Sequence, residues 1–382
     1  MSSIYDNWER LVEATLKREQ FRELAGCKSL SSRASDFSCD SSRESGAAPP
    51  DISIRSYSGK AKCFSHSQLK YATRNFQPDN LLAEDATGIV YKGWIDEHTL
   101  NAPKLGSGLA VAVKLLMDEE VRDMDKWLNE VDFLGQLCHP NIAKIIGYCT
   151  EYFYPYLVYE FMPKGSLRDH LFKSGLNWTL SWDTTISVAI GVAQSLSFLH
   201  DRELIHGNVK SSSILLDEDF SAKLSGFTLA KVPRGLEVTS LLGSRSPRPP
   251  GHSPHIFSSS KVSYVYYAPE CILTGELTPK CDVYSFGVVL TELLCGRCAS
   301  ELKDMFGGEE DMVEWARPCL MSNQKFSKIM DTKFGGKYCQ QRVYTVVADL
   351  VLQCVSSDPE ERPCMKEALD ALEKIQGPKT RI

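Results

Sequence analysis

Between Phe64 and about Ile375 the hydrophobic pattern is mainly of strand period in front and mainly of helical period behind. The front of this segment carries short alternating runs, among them Gly88-Ile89-Val90-Tyr91 and Leu109-Ala110-Val111-Ala112-Val113-Lys114. Alternation suits a half-buried strand, because successive side chains point to opposite faces. Tyr156 to Phe161 closes a further strand pair. One helix interrupts the front, Lys126 to Cys138, with Trp127, Val131, Leu134 and Leu137 on one face. After Pro163 apolar residues recur at helical spacing, over Ser187–His200, Asp282–Cys295, Val343–Cys354 and Met365–Ile375. A strand-rich front and a helix-rich back predict an α+β unit of two lobes with a cleft between them.

Composition narrows the classes. Hydrophobic content of 43% and charged content of 24% in 382 residues are those of a globular protein, and the net charge of -6 argues against a nucleic-acid partner. No apolar run is long enough to span a bilayer, and the charges scattered through the first thirty residues exclude a signal peptide. Without a secretion signal the 13 cysteines are expected to be reduced thiols. The Cys295-Gly296-Arg297-Cys298 run has neither a second pair nor a nearby histidine, so no metal is expected.

Two stretches stand apart. Residues 1–63 read as an extension: an amphipathic helix over Tyr5–Leu24, with Trp8, Leu11, Val12, Leu16 and Phe21 at helical spacing, then a Ser-rich segment to Pro50 that cannot bury enough apolar surface to order itself. Pro233–Ser260, with Arg245-Ser246-Pro247-Arg248-Pro249-Pro250-Gly251, reads as a disordered insert. The serines of 29–45 and 240–260 make the chain a candidate phosphorylation target. Residues 377–382 form a tail.

A set of short motifs follows in one order. They are Val111-Ala112-Val113-Lys114; Glu130 in Trp127-Leu128-Asn129-Glu130-Val131; His206-Gly207-Asn208-Val209-Lys210-Ser211-Ser212-Ser213-Ile214-Leu215-Leu216-Asp217; Ser225-Gly226-Phe227-Thr228-Leu229-Ala230; Ala268-Pro269-Glu270; Asp282-Val283-Tyr284-Ser285-Phe286-Gly287; and Arg362-Pro363. Together they resemble the protein-kinase signature: strand lysine, partner glutamate, catalytic loop, metal-binding triplet and the close of the activation segment. Phe64-Ser65 with Ala72-Thr73-Arg74-Asn75-Phe76, Leu157 to Leu167, and Val313-Glu314-Trp315-Ala316-Arg317-Pro318 are similar to plant receptor-like cytoplasmic kinases, in the Botrytis-induced-kinase-like and avrPphB-susceptible-like subfamily. The resemblance implies a bilobal protein-kinase fold, with an N-lobe over 64–158, a hinge at 159–162 and a C-lobe over 163–376. It implies an intracellular location, work downstream of plasma-membrane receptor kinases, and receptor-like or related cytoplasmic kinases as partners. It places Lys114, Glu130, Gly88, Glu160 and Met162 around a nucleotide, has Asp282 accept hydrogen bonds from the catalytic-loop backbone, and pairs Glu270 with Arg362.

The departures from that pattern fall on the chemistry. The catalytic aspartate is Asn208, and an amide takes no proton at neutral pH, where general-base catalysis is worth about 10²–10⁴-fold. The arginine before it is Gly207. The two Mg²⁺-binding positions hold Ser213 and Gly226, although Mg²⁺ wants oxygen ligands, chiefly carboxylates. The triplet's glycine is Thr228. The phosphate-covering loop reads Ala83-Glu84-Asp85-Ala86-Thr87-Gly88, with one glycine left and an acid at Asp85 whose repulsion of phosphate is on the order of a few kcal/mol. Ile205-His206 with Ile214–Asp217, and Ala222–Ser225 with Phe227, bracket the replaced positions, so these are not one-residue slips. Lys210 is retained, and Lys114 is read either as an ATP contact or as a structural remnant. The expectation is a pseudokinase that scaffolds or regulates, needing no cofactor and no metal and binding ATP weakly and without metal if at all. The alternative is a weakly active Ser/Thr kinase. Met1-Ser2-Ser3 lacks the glycine that myristoylation needs, and Cys27 or Cys39 would add one acyl chain at most. A cytoplasmic protein is therefore expected, at the inner face of the plasma membrane only peripherally.

Overall fold

Two lobes share the folded unit, and their elements alternate as the hydrophobic periods require. A computed structural model describes residues 61–85, 88–96, 99, 108–116, 124–151, 155–172, 180–227, 264–296, 298–299, 312–322 and 341–376. All of them belong to the compact unit Gly59–Ile382. The predicted helix at Tyr5–Leu24, the Ser-rich segment, the 233–260 insert and the tail lie outside the described residues.

The front lobe runs β1 (Lys62–Cys63), α1 (His66–Ala72), β2 (Leu81–Asp85), β3 (Gly88–Ile95), β4 (Leu109–Leu116), α2 (Met124–Gly135), β5 (Ile145–Cys149) and β6 (Tyr156–Glu160). Among the described residues its strands form one sheet in the order β1-β5-β6-β4-β3-β2. Only β1 is parallel to its neighbour, pairing Lys62 with Gly147. The folded unit therefore begins before Phe64: two residues read as part of the extension add a sheet edge. Along β4 the period-2 pattern is realised, with Val111, Val113 and Leu115 buried and Ala112 and Lys114 half-buried on the opposite face. Trp127, Val131 and Leu134 of α2 pack on Ile145 and Leu157, with Leu137 at the edge. That is the face read from the sequence. The helix ends at Gly135 rather than Cys138, and α1 is started by Ser65 and Gln68, whose side chains each accept from the other's backbone N–H.

The back lobe carries α3 (Leu167–Phe172), α4 (Trp182–His200), β7 (Ile214–Leu216), β8 (Ala222–Leu224), α5 (Pro269–Thr274), α6 (Pro279–Cys295), α7 (Met312–Leu320), α8 (Gln341–Cys354) and α9 (Met365–Gln376). Helices α4 and α6 are buried almost all round, through Val188, Val192, Leu196, Val283, Phe286 and Leu290. Both begin earlier than their apolar periodicity, α4 at a polar cap and α6 at a proline. Ser181 Oγ accepts from Thr184 N–H at 3.1 Å ahead of α4, and Thr278 with Pro279 at the first turn opens α6. The hairpin β7–β8, with Ile214 opposite Leu224, sets the catalytic-loop segment and the triplet beside each other. Phe227 packs against the cores of both lobes.

Candidate functional site

The site is built on Asp282, at the start of α6 and 1% exposed. Its Oδ2 accepts from His206 N–H at 2.8 Å and from His200 Nε2 at 3.0 Å, and its Oδ1 accepts from Gly207 N–H at 2.8 Å. Burial alone would push this carboxyl up; His200, the charge of the nearby imidazoles and the Gly207 N–H outweigh it and hold the carboxyl below the usual range. The expected anchoring of the catalytic-loop backbone by Asp282 is thus in place. Burial drives the His206 imidazole down to about 4 against the pull of Asp282. The neutral ring donates from Nε2 to Ser225 O at 3.1 Å and accepts Asn208 N–H at Nδ1 at 3.2 Å. Its face meets Phe227 at 4.8 Å between ring centroids.

The three replaced positions, Asn208, Ser213 and Gly226, meet one another. Asn208 Nδ2 donates to Gly226 O at 3.0 Å, and Ser213 Oγ donates to Asn208 O at 3.0 Å. Ser225 closes the ring, giving both its N–H, at 2.8 Å, and its hydroxyl, at 2.9 Å, to Ser213 O. Gly226 has φ +73, and a Cβ there would sit 3.1 Å from Ser213 Oγ. Glycine takes this left-handed backbone at little cost, whereas a side chain would press on the serine. The polar groups at the Mg²⁺ positions therefore satisfy each other. No carboxylate stands at Asn208, Ser213 or Gly226, and the residues present do not fit a divalent ion.

The remaining candidates are dispersed around this point. Lys210 caps the 3-10 turn Ser211–Ser213, its carbonyl accepting Ser213 N–H at 2.9 Å. Lys114 lies on β4 opposite Val90 and Leu157, and Glu130 lies in α2. Gly88 pairs with Asp85 across the β2–β3 turn and with Leu116 of β4. A Cβ on Gly88 would fall 2.0 Å from Leu115 O, so the one glycine left in the loop is required by strand packing. In the hinge, the Glu160 carboxylate accepts Lys144 N–H at 2.8 Å and Lys223 Nζ at 3.2 Å. Lys223 lies on β8, so this ion pair straps the lobes together. Met162 is buried and its carbonyl accepts Gly165 N–H at 3.1 Å.

The close of the activation segment is firmly held. Arg362, its side chain 0% exposed, takes both oxygens of Glu270, at 2.5 and 2.8 Å. This is the pair the motifs predicted. A network that motif reading missed joins the catalytic loop to α6. Ser211 Oγ meets Tyr266 Oη at 3.2 Å, and Tyr266 Oη donates to Glu292 Oε1 at 2.7 Å, which also accepts Ala299 N–H at 3.0 Å. Burial pushes the Glu292 carboxyl up to about 7.

One expectation is corrected. The thiols read as uniformly reduced include a disulfide, Cys271–Cys281, with 6.7 Å between the Cα atoms. Packing of α5 on the first turn of α6 brings the two sulfurs together in the interior. Cys63, Cys138, Cys149, Cys354 and Cys364 are free thiols, and Cys295 and Cys298 of the Cys-x-x-Cys run are buried. Among the described residues, no helix is long and apolar enough to cross a membrane.

A lysine-bearing sheet over a helical lobe, an Asp282-anchored catalytic loop and the Glu270–Arg362 pair define a protein-kinase domain. The family model for protein tyrosine and serine/threonine kinases matches residues 76–372, and the chain belongs to that family, among the plant receptor-like cytoplasmic kinases. It is 44% identical over 374 residues to the probable serine/threonine-protein kinase PBL3 of Arabidopsis thaliana, a match covering 93% of this chain and 82% of that protein. It is 43% identical over 361 residues to the probable serine/threonine-protein kinase PBL4 of the same plant, covering 94% and 82%. To receptor-like cytoplasmic kinase 176 of Oryza sativa subsp. japonica it is 41% identical over 362 residues, covering 92% and 87%.

Proposed function

We propose that this protein is a pseudokinase, a kinase fold impaired in phosphoryl transfer that acts as a scaffold or regulator in plant receptor-kinase signalling. The observation that carries this reading is the set of hydrogen bonds that links Asn208 with Gly226 and Ser213 with Asn208, closed by Ser225 on Ser213. Phosphoryl transfer depends on positioned metal ions and a residue that takes the hydroxyl proton. Here an amide faces a carbonyl, and a hydroxyl faces another carbonyl, where those groups would act. The scaffold parts, Asp282, Glu270–Arg362 and the Phe227 contact with both cores, keep the kinase shape as a surface for receptor-like or related cytoplasmic kinases. Cytoplasmic work at the inner face of the plasma membrane, through partners, fits the same reading.

The names of the relatives support a second reading, a weakly active Ser/Thr kinase that uses the retained Lys114. One experiment separates the two. Purified full-length protein is incubated with labelled ATP and Mg²⁺ or Mn²⁺ beside Lys114→Ala. The pseudokinase reading expects equal, background-level incorporation in both. Transfer at an ordinary enzymatic rate that Lys114→Ala abolishes would overturn it.

A further inference from the structure

We propose that Cys271 and Cys281 form a dithiol–disulfide exchange site for a low-molecular-weight thiol couple of the glutathione class, and that its state sets how firmly the end of the activation segment is held on α6. Cys271 lies in α5, next to Glu270, which grips Arg362. Cys281 lies in the first turn of the 17-residue helix α6, one residue before Asp282. The bridge therefore ties the activation-segment end to the helix that anchors the catalytic loop. It closes a loop in which Ile272 and Leu273 are exposed, Leu273 at 85%, while the two cysteines are 5% and 3% exposed. Cys63, Cys138 and Cys364, by contrast, are free thiols at the surface.

The two sulfurs are not equivalent. Cys281 Sγ faces Thr278 N–H at 3.3 Å and the Thr278 hydroxyl at 3.4 Å, at a helix N-terminus, a setting that favours a thiolate. Two acceptors also stand near, the uncharged Glu276 carbonyl at 3.7 Å and the Glu270 carboxylate at 3.8 Å, the latter neutralised by Arg362. Cys281 is thus the better leaving group, and an incoming thiolate attacks Cys271. That attack forms a mixed disulfide at Cys271 and breaks the protein S–S bond, releasing Cys281 as a thiolate. A second small thiolate then attacks the mixed disulfide, freeing Cys271 and yielding the oxidised small disulfide. Two electrons pass to the protein pair, and two protons from the small thiols end on Cys271 and Cys281. Oxidation runs the same steps in reverse, with the small disulfide as oxidant. Because both sulfurs are buried, exchange proceeds through local opening of residues 272–280, the end of α5, the connection and the start of α6.

The test equilibrates the full-length protein across reduced-to-oxidised glutathione ratios, traps free thiols by alkylation, and reads the cysteine peptides by mass spectrometry. The expected result is a cooperative conversion of the Cys271 and Cys281 peptides into one linked species, while Cys63, Cys138 and Cys364 form only mixed disulfides with glutathione. Amide hydrogen exchange over residues 268–280 should be slower in the oxidised protein, and its Tm higher by roughly 3–6 °C. Cys271→Ala should abolish both differences. Comparison of oxidised and reduced wild type needs no variant, so a variant that fails to fold leaves the test standing. The proposal is overturned if the two cysteines stay alkylatable at every ratio, if each is only glutathionylated, or if exchange over 268–280 is the same in both states. Its outcome is independent of the phosphate-transfer assay.

Discussion

Asn208 stands where the fold would otherwise put a carboxylate, and its surroundings have adapted to an amide. Its Nδ2 faces the carbonyl of Gly226, a donor against an acceptor. Asn208→Asp would set two acceptors against each other in a partly buried place. The expected loss is about 1–3 kcal/mol, the range for leaving such groups unsatisfied, seen as a lower midpoint in thermal or urea unfolding at neutral pH. A variant as stable as wild type would show that the amide is not interlocked. The replacements were legible in the sequence, since the flanking Ile205-His206 and Ile214–Asp217 fix the register. Their mutual satisfaction was not, because Asn208, Ser213 and Gly226 meet only once β7 and β8 pair. The Cys271–Cys281 bond was hidden for a similar reason: spacing along the chain does not give connectivity.

At the scale of elements, the helix starting at Pro279 organises the back lobe by holding charges in its interior. Glu292, near its end, keeps its proton up to about 7, whereas an unfolded glutamate releases it near 4.5. Between those values the folded state binds more protons, so this group's contribution to stability falls as pH rises. His206 does the opposite: its folded value of about 4 lies below the ordinary 6.5, so its contribution is full above 6.5 and is lost as pH falls. Between pH 4.5 and 6.5 the two slopes oppose each other. Glu292→Gln should expose the His206 slope, so that stability climbs across this window by on the order of 2–3 kcal/mol more than in wild type. Urea titrations at pH 4.5, 5.5 and 6.5 would measure it, and parallel profiles would refute it. Element faces were read correctly where burial sets a period, as on Trp127, Val131 and Leu134. Element ends were not, because caps such as Ser181 carry no hydrophobic signal. Strand β1 was missed because two residues have no period, and its partner Gly147 is far along the chain.

For the molecule as a whole, the lobes are joined by the Lys223–Glu160 ion pair and by Phe227, while Asn208, Ser213 and Gly226 are held by their own hydrogen bonds. A ligand that binds the folded state raises the unfolding midpoint by mass action. With no carboxylate at positions 208, 213 or 226, Mg²⁺ should add nothing: any rise given by ATP should be the same with the ion and with a chelator. A rise that appears only with Mg²⁺ would mean that the ion finds ligands elsewhere in the cleft. The bilobal architecture was legible, because a strand-rich front, a helix-rich back and an ordered set of motifs specify it. How the lobes are strapped was not, since Glu160 reads as a hinge residue and turns out to hold Lys223.

Phe227 has a wider consequence. Its ring rests on His206 and belongs to the packing of both halves at once. Anything that wedges it outward must loosen two hydrophobic interiors together, so the two halves share the cost of displacing one ring.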